Sequence, residues 1–226
     1  MIMQRISTFL FNRSPRELAF YFILGPMLLF FTYTLFSIGY SYVTGNEATG
    51  HTLPNIFIAL FLVCLLPIVL GILFWFTSVV FSAETSNLGL PRQGFIIALA
   101  VFLIYLVYQI SGPLIQTVPE DYKYIFYALN EFTAFGGILI AYPIICHYTA
   151  RAIVVKKKNK PVNFVNALPY TLVLIFGTIL SIPFFHGYFS NKASTNKQLI
   201  GIYVIAFGLF VFLLIIGFIA SIIGLI

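Results

Sequence analysis

Residues 56–82 read IFIALFLVCLLPIVLGILFWFTSVVFS, a run of 27 residues without a charged side chain. A helix needs about 20 mostly apolar residues to cross the hydrocarbon core of a bilayer. A transmembrane strand would alternate apolar and polar residues over about ten positions. This run is continuously apolar, so it predicts a membrane-spanning helix.

Five further runs of similar length and composition lie on either side of this stretch. The six predicted spans cover about two thirds of the chain, at residues 18–42, 56–82, 94–116, 124–150, 167–189 and 199–226. The loops between them are too short to fold as soluble domains. We therefore expect an all-α integral membrane protein of six transmembrane helices, forming a single membrane domain over residues 1–226.

The composition of the whole chain agrees with this prediction. Of 226 residues, 61% are hydrophobic and only 8% are charged, whereas a soluble domain carries about 25% charged residues. These values exclude a soluble globular protein, a disordered chain and a small disulfide-stabilised domain. The net charge of +6 comes mainly from loop residues, which indicates topology and lipid head groups rather than nucleic acid.

The N-terminal segment carries two signals. Ser14-Pro15-Arg16-Glu17 has the spacing of a capping box with proline at the first helical position, so it predicts the start of the first span. Upstream, apolar residues recur at helical spacing, which suits a short interfacial helix, with a frayed terminus as the equal alternative. The first run is too long for a cleavable signal peptide, so we expect a retained signal anchor.

The distribution of basic residues predicts the orientation. With the N-terminus in the cytoplasm, the inner segments carry nine Lys and Arg residues, and the outer loops carry only Lys123, Lys192 and Lys197. The positive-inside rule then places both termini in the cytoplasm. The usage of Phe, Ile, Lys and Asn suggests an AT-rich bacterial genome, and hence the bacterial cytoplasmic (inner) membrane. Cys64 and Cys146 are expected at different depths, as two free thiols.

Glu131 is the only acidic residue within a predicted span. An ionisable group in the bilayer costs roughly 2.5–3.5 kcal/mol on insertion scales and by default suggests function. Gln109 is expected at the same depth, within hydrogen-bonding reach, and Asn130 and Thr133 lie close in sequence. These four residues are candidates for ion or substrate binding. The alternatives are a buried carboxyl that joins helices and a carboxylate at the outer rim.

Two further sets of residues are candidates for contacts with other molecules. The first is a basic stretch that can dock lipid or a protein partner, or serve only to determine topology: Arg151, Lys156, Lys157, Lys158 and Lys160. The second is a face of small residues in the last span that favours helix packing, within the chain or in a homo-oligomer: Gly217, Ser221 and Gly224.

Prolines and histidines complete the set of notable residues. Gly25-Pro26 and Ser111-Gly112-Pro113 are the candidate positions for helix breaks, but simple kinks are the favoured interpretation because proline is common in membrane helices. His147 and His186 are expected nearly a membrane thickness apart and His51 in an outer loop, so no metal or haem site is predicted.

These features favour a non-catalytic membrane protein, either an embedded subunit or an accessory or assembly partner of a larger complex. The sequence contains no phosphate loop, zinc-protease motif or nucleophile elbow, and we expect neither an enzyme nor a cofactor. The alternative is a small proton- or cation-coupled transporter or channel, or half of a permease, that uses Glu131. Membrane lipids are expected partners in either case, together with a protein partner or a second copy of the chain.

Overall fold

The computed structural model describes residues 2–44, 52–115, 119–192 and 196–222, and within these ranges every regular element is a helix. The helices are α1 Ile2–Phe11, α2 Pro15–Ala19, α3 Gly25–Thr44, α4 Thr52–Ser82, α5 Thr85–Leu88, α6 Arg92–Ile115, α7 Glu120–Ala134, α8 Tyr142–Lys158, α9 Phe164–His186 and α10 Asn196–Ile222. Two π-helical stretches, Phe20–Leu24 and Phe135–Ala141, join α2 to α3 and α7 to α8.

Five helical segments of the described chain are long and apolar enough to cross a membrane, which indicates a membrane location. They are Pro15–Phe36, Arg92–Ile110, Asp121–Lys158, Phe164–His186 and Lys197–Ile219. These correspond to five of the six predicted spans. In α4, which covers the remaining predicted span, the side chains are described only from Leu66 onward. Within these described side chains, the apolar stretch of the helix is Leu66–Ser82.

The predicted start of the first span is confirmed. The Ser14 hydroxyl accepts a hydrogen bond from the Glu17 N–H at 3.2 Å, and the Glu17 carboxylate accepts from the Ser14 N–H at 3.0 Å. Pro15 occupies the first turn, where a missing N–H costs nothing. Upstream, the chain forms the short helix α1, as the apolar spacing of residues 1–12 predicts.

The chain divides into two compact units, the first made of residues 1–75 and 179–226 and the second of residues 76–178. In the first unit, the segment α2–α3 packs along α10. Ala19 and Ile23 form a buried cluster with Leu199, Ile202 and Ala206. Further along both helices, the Phe31 and Phe212 ring centroids are 6.0 Å apart. Because residue numbers rise together along the contact, the two helices run parallel.

This parallel packing sets the relative direction of the two helices, whereas the predicted placement of both termini on one side of the membrane stays a prediction. The N-terminal ends of α2–α3 and α10 lie at the same end of the unit, so two helices that cross a membrane there cross it in the same direction. The C-terminal end of α10 is then opposite to residues 11–15.

In the second unit, α6 pairs antiparallel with the continuous segment α7–α8. Gly137 lies against Tyr105, and Phe102 stacks on Tyr142 with ring centroids 5.7 Å apart. Residue numbers fall on one helix as they rise on the other, as in the predicted hairpin that turns near residue 120. The segment 164–178 of α9 then packs antiparallel to α8, since Thr171 lies against His147.

No helix break is seen at the two candidate proline positions, in line with the favoured interpretation. The α6 backbone stays helical through Ser111–Gly112–Pro113. At Gly25-Pro26 the chain changes from a π-helical turn to α-helix without leaving the helix. The interior break in α9 is at Gly177, where the backbone leaves helical geometry with φ −138° and ψ 34°.

Candidate functional site

The predicted polar group around Glu131 is only partly assembled. Gln109 donates from Nε2 to the Asn130 side-chain oxygen at 2.9 Å, and Thr133 donates to the Asn130 backbone carbonyl at 3.0 Å. The Glu131 side chain is exposed on the surface of α7. Adjacent residues on a helix point about 100° apart, so Gln109 meets Asn130 instead of Glu131. The expected Gln109–Glu131 bond is therefore replaced by a Gln109–Asn130 bond, whereas burial of Glu131 in a bilayer and its role in ion binding stay predictions.

Arg151 is removed from the set of docking candidates because it is buried. Only 6% of the residue is exposed, and its guanidinium donates to the Val162 backbone carbonyl. It also lies against Gly89, where an added Cβ would come within 2.9 Å of a guanidinium nitrogen. Gly89 has a left-handed backbone, φ 64°, that favours glycine. Arg151 thus joins α8 to the loop after it and to the turn at Gly89.

The other basic candidates form an exposed surface, which we call the basic end: Lys156, Lys157, Lys158 and Lys160. Asn159 ends α8 in a left-handed conformation, and its N–H bonds the Val155 carbonyl at 2.7 Å. The Lys157 ammonium donates to the Tyr170 hydroxyl at 3.0 Å, so one lysine is held against α9. The remaining side chains extend from a capped helix end.

Hydrogen bonds within residues 83–92, and from these residues to α8 and to the loop after α8, stabilise the base of this surface. The Val162 N–H donates to the Asn87 carbonyl at 3.2 Å, and the Tyr148 hydroxyl donates to the Pro91 carbonyl at 2.8 Å. Arg92 donates to the Ala83 carbonyl, and its guanidinium lies 5.2 Å from the centre of the Phe81 ring. Residues 83–92 and 159–163 therefore form one structured base beneath the lysines.

A buried polar cluster between α8 and α9 was missed by the sequence analysis. The Tyr142 hydroxyl, the Thr178 hydroxyl and the Leu174 carbonyl lie within hydrogen-bonding distance of one another next to the break at Gly177, and the two hydroxyl protons can make two of these three contacts at a time. Cys146 is a free, buried thiol within reach of both hydroxyls. The spacing of Tyr142 and Cys146, four residues apart, is the signal that would have predicted a polar face on α8. Cys64 lies outside the residues whose side chains are described.

A second buried group, centred on His186, was also missed. His186 is fully buried, and its Nδ1 accepts from the Trp75 indole N–H at 3.1 Å. Because an indole can only donate, Nδ1 carries no proton, and Nε2–H donates to the Arg13 carbonyl at 2.9 Å. Ser190 donates to the same carbonyl at 2.6 Å, and the Asn191 N–H donates to the Phe11 carbonyl at 2.9 Å. This group joins the α1–α2 junction to α4 and to the end of α9.

The predicted small-residue face of α10 is seen only in part. No atom lies within 4 Å of a Cβ built at Gly217, so this residue packs against nothing else in the described chain. Ser221 and Gly224 lie outside the residues whose side chains are described. A contact of this face with a second copy of the chain stays a prediction.

Comparison with known proteins leaves the function open. No family model matches the chain, and neither a curated protein nor a solved structure does. Among the described residues, no group of three or more His, Cys, Asp or Glu side chains is placed to hold a metal ion. Throughout its described ranges the chain is all-helical, with several helices of membrane-spanning length.

Proposed function

We propose that this protein is a non-catalytic membrane subunit that docks an acidic partner at the basic end. The proposal rests on the hydrogen bonds that the polar side chains of the apolar helices make within the chain. Those around Tyr142, Arg151 and His186 hydrogen-bond one another or the backbone between segments of the chain. Groups occupied in this way stabilise helix packing, and the lysines at the end of α8 remain exposed to a partner.

The structured base supports docking at this surface. Lysines on a flexible loop lose conformational entropy on binding, whereas a surface on a fixed helix end is already positioned. Lys156 and Lys158 extend from the last turn of α8. Complementary acidic side chains on a partner would raise the association rate and fix the orientation of the complex.

A charge reversal tests the docking proposal. Lys156→Glu with Lys158→Glu is expected to lower the amount of partner that copurifies from the native membrane by about tenfold, because two attractions become repulsions. Lys157 is left intact because it bonds Tyr170. Lys192→Glu, an exposed lysine elsewhere in the chain, is the matched control. Equal recovery of the partner with the double variant and with the control would refute docking at this surface.

We further propose that the chain crosses the membrane five times, with its N-terminus in the cytoplasm and its C-terminus outside. The parallel packing of α2–α3 and α10 supports this arrangement, as do the hydrogen bonds between residues 11–13 and 186–191. Placing Lys192 and Lys197 inside leaves only Lys123 outside, so eleven of the twelve basic residues lie on the cytoplasmic side. The positive-inside balance is therefore stronger than in the six-span prediction.

In this topology, α9 enters and leaves the membrane on the same side. Five apolar segments lie between residues 15 and 186, namely α3, α4, α6, α7–α8 and α9. Residues 15 and 186 lie on the same side of the membrane in this topology. The chain between them therefore crosses the membrane an even number of times, so one of the five segments does not cross. The break at Gly177 favours α9 as the segment that does not cross the membrane. A hydroxyl group hydrogen-bonds the Leu174 carbonyl next to this break. Irregular backbone at membrane depth requires such partners.

Cysteine labelling in sealed cells separates the two topologies. In a chain with Cys64→Ala and Cys146→Ala, a membrane-impermeant maleimide is expected to label Lys123→Cys and a cysteine added after Ile226, but not Lys192→Cys. In the six-span topology, Lys192→Cys is labelled and the cysteine after Ile226 is not. Lysed cells provide the control that every site reacts once the reagent has access. Labelling of Lys192→Cys in sealed cells would overturn the five-crossing proposal.

A further inference from the structure

An apolar groove lies in the first unit, between the N-terminal segment and α4. It encloses about 310 Å³ and is lined by residues of α1, of α2 with the following π-helical turn, and of α4. Leu10 and Phe22 contribute apolar walls from the N-terminal side, and Pro67 and Ile68 contribute them from α4. The volume is near the lower end of the roughly 300–1,000 Å³ range of small-molecule sites.

The shape of the groove depends on the close approach of α4 to the first span. A Cβ built at Gly71 would lie 3.0 Å from a ring carbon of Phe22, so α4 and the first span are in contact there. Gly71 and Ile68, nearly one turn apart on α4, both line the groove beside this contact. The groove is therefore narrow and apolar, a form that suits an alkyl chain.

Among the described residues that line the groove, Arg13 at the α1–α2 junction is the charged one. Its guanidinium lies 4.6 Å from the centre of the Phe9 ring. The nearest Glu17 carboxylate oxygen is at 4.0 Å, beyond hydrogen-bonding distance, and the Arg13 side chain is 37% exposed. A guanidinium binds phosphate oxygens through paired N–H groups. The groove thus combines an apolar interior with a cationic site for a phosphate.

We propose that this groove binds one anionic phospholipid, with its phosphate at Arg13 and an acyl chain between Leu10 and Ile68. The location supports a lipid rather than a soluble anion or a peptide. Arg13 immediately precedes the start of the first apolar segment at Pro15, where lipid head groups meet the hydrocarbon core. An acyl chain entering from the bilayer fills apolar volume without exposing it to water. The lipid would also contact α1, α2 and α4 at once.

The single tryptophan of the chain provides the measurement. Trp75 is fully buried and lies one helical turn beyond Gly71 on α4. The full chain is reconstituted in phosphatidylcholine nanodiscs with a small fraction of phosphatidylglycerol whose acyl chains are brominated. Bromine quenches indole fluorescence at short range, so quenching is expected to be stronger than with the same fraction of brominated phosphatidylcholine. Equal quenching by the two lipids would overturn the proposal.

Two variants test where the lipid binds. Arg13→Gln keeps the backbone carbonyl that His186 bonds, and it is expected to weaken the preference for phosphatidylglycerol about five- to tenfold. Arg16→Gln, which removes an exposed charge on α2, is the control and should leave the preference unchanged. Ile68→Phe, which fills the groove, should abolish quenching while the Trp75 emission maximum stays constant. Equal effects of the two arginine variants, or unaltered quenching with Ile68→Phe, would overturn the proposal.

Discussion

Gly137→Ala is expected to lower the stability of the protein by about 3 kcal/mol, with a fall of roughly 6–12 °C in melting temperature. A Cβ at this position would lie 2.5 Å from Cβ and 2.6 Å from Cγ of Tyr105. Both atoms are close to the α6 backbone, so a side-chain rotation cannot relieve the overlap. The helix pair has to separate or shift. Thermal unfolding of the full chain in mild detergent measures the effect.

The adjacent glycine provides the matched control for this prediction. At Gly136 the nearest atom to an added Cβ is a methyl carbon of Val101 at 3.8 Å, an ordinary van der Waals distance. Alanine is also favoured over glycine in helices by about 1 kcal/mol. Gly136→Ala should therefore match or exceed the melting temperature of the unmodified chain. Equal losses in the two variants would show that α6 does not approach α7–α8 as closely as described.

His186→Leu is expected to destabilise the chain by about 2–4 kcal/mol, because it removes two buried hydrogen bonds and leaves a buried N–H group without its acceptor. The Trp75 indole loses its acceptor, and the Arg13 carbonyl retains only the bond from Ser190. The melting temperature in detergent measures the loss. The Trp75 emission spectrum gives a local readout, since its indole N–H is the group affected.

His186→Gln distinguishes lost hydrogen bonding from lost volume. A glutamine amide offers one acceptor and donors, so it can replace at least one of the two bonds made by the imidazole. We expect His186→Gln to retain more stability than His186→Leu. A glutamine variant as unstable as the leucine variant would mean that the shape of the imidazole, packed 6.2 Å from the Phe11 ring centre, matters more than its hydrogen bonds.

Local features of the chain were predictable where one physical rule dominates. The apolar run of residues 56–82 and its counterparts indicate membrane helices because the bilayer core cannot satisfy an open backbone. The capping box at Ser14 sets a helix start through contacts only three residues apart. The hairpin of α6 with α7–α8 follows from a short turn, since neighbouring helices joined in this way pack antiparallel.

Other features required the folded chain because they join residues far apart in sequence. His186 contacts Trp75 and Arg13, and Arg151 is buried although it belongs to a basic stretch. Gln109 hydrogen-bonds Asn130 instead of Glu131 because of how α7 is rotated about its own axis, and hydropathy does not specify this rotation. The parallel course of α2–α3 and α10 is likewise a matter of packing. Apolar composition determines that a helix lies in a membrane, but it is nearly uniform around these helices, so side-chain packing decides which faces meet and in which direction.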